Sequence, residues 1–102
     1  MSLEAFFDGH VPVWGNPVEV EVRRRIKLSV AAYAYEYQAV SIMSDAEFDE
    51  MCRKVNLNVD TGNKKCDNYF KKHFDPSTGQ WIRKHPEIRK IVHLYKAYYK
   101  NG

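Results

Sequence analysis

Two carboxylates one helical turn apart, close in sequence to a run of tyrosines, make the segment that could carry chemistry. Asp45 and Asp49 share a helix face at i, i+4 spacing, with Phe48 beside them. Shortly before them runs Tyr33-Ala34-Tyr35-Glu36-Tyr37. A cationic aromatic ring would suit this set. Tyr35 would offer a face for stacking and cation–π attraction, and the carboxylates would offer opposite charge and acceptors for hydroxyls.

A second cluster has the opposite sign. Arg23, Arg24, Arg25 and Lys27 lie together, and further Lys and Arg flank later segments at 64–65, 71–72, 83–84 and 89–90. Such a surface could track phosphates, so nucleic-acid binding through Arg23, Arg24, Arg25 and Lys27 is the alternative reading. A protein-interaction adaptor is the third. By analogy with small helical proteins lacking catalytic motifs, an accessory role in a phage or mobile element is one setting for it. The net charge of +3 is mild and decides none of these.

Catalytic signatures are missing. The chain contains no Gly-x-Ser-x-Gly, Walker loop or His-Glu-x-x-His motif. His10, His73, His85 and His93 are scattered, which predicts surface or helix-end residues rather than bases. Cys52 and Cys66 fall on apolar helical faces and are expected as buried small hydrophobes. The Cys66-to-His73 spacing is not one that zinc uses, so no metal site is expected. The expectation is a chain that is not itself an enzyme.

The stretch Tyr33–Tyr37, followed by Ser44-Asp45-Ala46-Glu47-Phe48-Asp49-Glu50-Met51, resembles the N-terminal subdomain of bacterial NAD-dependent DNA ligases. The spacing between the two halves equals that of the family. The resemblance covers about residues 22–55 and implies a helical hairpin that grips the nicotinamide mononucleotide half of NAD. It implies that Tyr35 stacks on the nicotinamide and that Asp45 and Asp49 contact the nucleotide. Phe48 stands where the family has a second Tyr, keeping the ring and losing the hydroxyl. Glu36 stands where the family has a His, which puts a carboxylate near the expected phosphate. NAD or nicotinamide mononucleotide is therefore implied as a weak ligand. The Lys-x-Asp-Gly nucleophile motif of the ligases has no counterpart here.

These residues must be held by helices. The chain has 102 residues, the size of one domain, and is 44% hydrophobic and 28% charged, which reads as globular rather than disordered. Seven Tyr, five Phe and two Trp are enough to dominate the core. No apolar run approaches a membrane span. The first residues show no basic region followed by an apolar stretch, so no signal peptide and a cytoplasmic location are expected.

Residues 1–15, with Phe6, Phe7, Val11, Val13 and Trp14, read as an extended arm. A single helical domain spans 16–102. Asn16-Pro17-Val18-Glu19 starts a helix predicted to run to about Val40. Its residues from Leu28 onward are apolar all round, so it should be the buried central helix. Ser44 and Glu47 form a capping box for the next helix, with Met43 and Phe48 at staple positions. A third helix is expected over about 62–74. A last one is expected over about 86–100, opened by Pro86. Strand signals are weak, so the expected fold is all-α, with about four helices around the Tyr-rich one.

Overall fold

The computed structural model describes residues 16–99. The arm expected over 1–15 lies outside the described residues, as do the last three positions. Among the described residues the chain is all-helical: α1 Pro17–Gln38, α2 Asp45–Lys54, α3 Lys64–His73, a 3₁₀ segment Gln80–Lys84, and α4 Ile88–Tyr98.

Local chemistry sets each boundary. Asn16 Oδ1 accepts from the Glu19 amide at 2.9 Å, and Pro17 occupies the first turn, where no N–H is needed. α1 ends at Gln38, two residues earlier than expected, because Ala39 turns left-handed at φ 55°. The Ala39 and Val40 amides both point back to the Ala34 carbonyl. The capping box of α2 forms as the residue types predict. The Glu47 amide donates to Ser44 Oγ at 3.1 Å, and the Ser44 amide donates to the Glu47 carboxylate at 3.5 Å. Gly62, at φ +85°, makes the turn into the Asn63 cap of α3. The last helix begins at Ile88 rather than Pro86, and it ends at Tyr98.

α1 is central: it packs against α4 most extensively, then against the 3₁₀ segment and α2. Leu28 through Ala34 are buried without a break, as an all-round apolar stretch requires. Beyond Ala34 that expectation fails. Tyr35 is 62% exposed, and Tyr37 and Ala39 are exposed as well. Residues 33 and 35 point to nearly opposite sides of a helix. Tyr33 therefore enters the core, with its ring 5.4 Å from Tyr95 and stacked on Tyr37 at 5.2 Å, while Tyr35 faces outward.

The other half of the core is aromatic. Phe70, Phe74 and Trp81 pack ring to ring at 5.3–5.6 Å. The Tyr69 hydroxyl donates to the Trp81 carbonyl, tying α3 to the 3₁₀ segment. That segment carries Trp81 and Ile82, both buried.

Candidate functional site

Tyr35 and Glu36 come from the C-terminal half of α1, and Asp45, Phe48 and Asp49 from the first turns of α2. All five line one open cleft of about 310 Å³. Its floor is Ala31 and Ala32, one helical turn before Tyr35 and Glu36 on the same face. Small residues there leave the space that larger side chains would fill. The connection Ser41, Ile42 and Met43 closes one end.

The rest of the lining comes from a loop that sequence reasoning did not place near this segment. Ser77, Thr78, Gly79 and Gln80 also line the cleft. Gly79 makes the close approach possible: a Cβ there would sit 3.4 Å from Ala32 Cβ and 3.7 Å from Phe48 Cζ. The loop is held by its own bonds. Ser77 donates through its amide and hydroxyl to Asp75 Oδ1, at 2.9 and 2.7 Å, and Thr78 Oγ accepts from the Gln80 amide at 3.2 Å. The residue types at 75–79, Asp-Pro-Ser-Thr-Gly, mark a turn and locate a loop without saying what it faces.

The charge of the lining is one-sided. Glu36, Asp45 and Asp49 are acidic, and among the described residues no Lys, Arg or His lines the cleft. Glu36 takes an ion pair from Arg83 at 3.1 Å, and the Arg83 guanidinium also lies 5.7 Å from the Tyr37 ring. Neither Asp45 nor Asp49 makes an ion pair or hydrogen bond among the described residues. Asp45 also lies in the first turn of α2, where a negative charge suits the helix dipole.

One member of the basic cluster, Arg25, is built into the fold, while Arg23, Arg24 and Lys27 are half-buried. Arg25 is buried. Its Nε lies 2.8 Å from Glu21 Oε2, its Nη1 2.9 Å from Asp67 Oδ1, and its Nη2 2.8 Å from the Asn56 carbonyl. Its guanidinium also covers the Phe70 ring at 5.1 Å. Arg25 is therefore not presented to a phosphate: it is buried, and all three guanidinium nitrogens donate inside the fold. Arg24 pairs with the same buried Glu21. Arg23 reaches Glu19 at 3.7 Å. Lys27 is half-buried on α1.

A second cavity of about 240 Å³ lies between α1, α3 and α4, lined by Val22, Ile26, Cys66, His85, Glu87 and Leu94 among others. His85 stands at a helix end, as the C-cap of the 3₁₀ segment, and is buried there. Its Nδ1 accepts from the Glu87 amide at 3.0 Å, and burial, partly opposed by Glu87, lowers its pKa to about 4. Cys66 is half-buried rather than a core residue, and its Sγ donates to Glu87 Oε1 at 3.4 Å. Burial and that bond push the thiol up to about 11, so it is held as the thiol and not as a thiolate nucleophile. Cys52 is buried as expected.

Among the described residues no group of three or more His, Cys, Asp or Glu side chains is placed to hold a metal ion. No described helix is long and apolar enough to cross a membrane. The chain matches no protein-family model, no curated protein and no solved structure in the three comparisons made.

Proposed function

We propose that this chain is a non-catalytic helical domain that binds a nicotinamide nucleotide in the cleft between α1 and α2. The observation that carries the reading is convergence. Five residues singled out from two separated stretches by their resemblance to the ligase hairpin line a single cleft. Its volume of about 310 Å³ is at the small end of ligand sites, the size for one ring and one sugar rather than a whole dinucleotide.

In this reading the exposed Tyr35 ring supplies the stacking face. Asp45 and Asp49 supply charge opposite to the pyridinium and acceptors for ribose hydroxyls. Phe48 supplies an apolar wall. Glu36 stays with Arg83, so the ring-proximal phosphate gains no donor from that position. Affinity is correspondingly weak, near the millimolar range that corresponds to ~4 kcal/mol.

Calorimetric titration with nicotinamide mononucleotide tests the proposal. Weak saturable binding that falls roughly fivefold in Tyr35→Ala is the expected result, since the loss of one stacking face is worth about 1 kcal/mol. Binding indifferent to Tyr35, or none at high ligand concentration, would refute it. Incubation with NAD labelled in its adenylate half is expected to leave no covalent adenylate on any lysine.

A further inference from the structure

The cleft has an electrostatic preference that goes beyond its shape. Among the described residues its lining carries three carboxylates and no cationic side chain. Glu36 is compensated by Arg83, and Arg83 itself does not line the cleft. Neither aspartate of α2 makes an ion pair among the described residues, and the cation that attracts Asp49, Arg53 one helical turn on, lies outside the cleft lining. A pyridinium ring brings one positive charge, which these carboxylates attract. A phosphate brings nearly two negative charges, which they repel.

The donor side chains of the lining, Tyr35, Ser41, Thr78 and Gln80, are all neutral, so none offsets the charge of a phosphate. The N-terminus of α2 opens beside the cleft, and such a terminus is ordinarily an anion site. Here Ser44 Oγ already accepts from the Glu47 amide, and Asp45 and Glu47 place their own negative charge in the first turn. In the 77–80 loop the Ser77 hydroxyl donates to Asp75, so it offers the cleft acceptor lone pairs rather than a proton. Acceptors match ribose hydroxyls, which can donate, and mismatch a phosphate dianion, which cannot. An inorganic cation is not the better fit, because the carboxylates form no group placed to hold a metal. Tyr35 and Phe48 instead present aromatic surface to the same space.

We infer that the cleft selects an unphosphorylated aromatic cation of nucleoside size, a pyridinium ribonucleoside, over the corresponding nucleotide. This rests on the cleft being the ligand site proposed above, and it narrows the ligand class there. The phosphate-bearing forms bind only as far as their ring and sugar outweigh the repulsion.

The test is a pair of titrations at low ionic strength, one with nicotinamide riboside and one with nicotinamide mononucleotide. The riboside should bind more tightly, by up to about tenfold for two exposed carboxylates near the phosphate at low ionic strength. The gap should close in 0.5 M salt, because the aspartates are exposed and screened. Asp49→Asn, in the middle of α2 and away from its cap, should weaken the riboside more than the nucleotide and so narrow the gap between them. Equal or tighter binding of the nucleotide to the unaltered protein would overturn the inference while leaving the cleft as the site. Failure of both ligands to bind would overturn the site itself, and the inference with it.

Discussion

Arg25 and Asp67, 42 residues apart in the chain, meet in a buried ion pair with Nη1 2.9 Å from Oδ1. The pair locks α1 to α3, and Thr61 completes it by donating its amide and hydroxyl to the same carboxylate, at 3.0 and 2.6 Å. Burial pushes the Asp67 carboxyl up, but the bonds from Thr61 and Arg25 outweigh it and hold the group below its usual value. Removing one partner leaves buried charge without compensation, which costs about 3–5 kcal/mol. Arg25→Met should therefore lower the free energy of unfolding by about that amount in urea titrations. Asp67→Asn, which keeps an acceptor for Arg25 and Thr61, should cost less.

Acid should weaken the fold through His85. Its pKa in the folded protein is about 4, against 6.5 for an unperturbed imidazole, so the unfolded chain takes up the proton first as pH falls. The stability from this group is complete above pH 6.5 and is lost on the way down to about pH 4. A shift of that size corresponds to about 3 kcal/mol. Urea unfolding at several pH values across this window measures it, and His85→Gln should flatten most of the slope.

Ala39 holds a left-handed backbone at φ 55°, a conformation that disfavours a side chain. Ala39→Gly should raise the thermal midpoint, through a gain of about 1 kcal/mol, with α1 still ending at Gln38. A lower midpoint would show that the glycine's extra freedom in the unfolded chain outweighs the relief.

The features legible from sequence were the local ones. Ser44, Glu47, Asn16 and Pro17 announce their helix starts because a cap needs only residues three positions apart. The carried-over residues Tyr35, Asp45, Phe48 and Asp49 share a cleft partly for the same reason, since two helices joined by a short connection must lie side by side. Arg25 was not legible as a structural residue. In sequence it is one of three adjacent arginines, and what separates it from Arg23 and Arg24 is Asp67, contributed by a helix far along the chain. A faint local signal existed: Glu21 lies four residues before Arg25, on the helix face that also carries Leu28 and Ser29. The Ser77–Gln80 wall and the Trp81–Ile82 segment were hidden for a related reason. A turn signal marks where the chain bends and carries no information about which surface the bend will meet.

The central claim is that a pyridinium nucleotide sits between Tyr35 and the two aspartates of α2. Chemical-shift mapping with nicotinamide mononucleotide, NAD and AMP tests it most directly, because AMP carries the ribose phosphate without the cationic ring. The account predicts shifts centred on residues 33–50, with a lesser response at 77–80, for the first two ligands and none for AMP. An equal response to all three, or shifts centred on the cavity around Cys66 and His85, would contradict it.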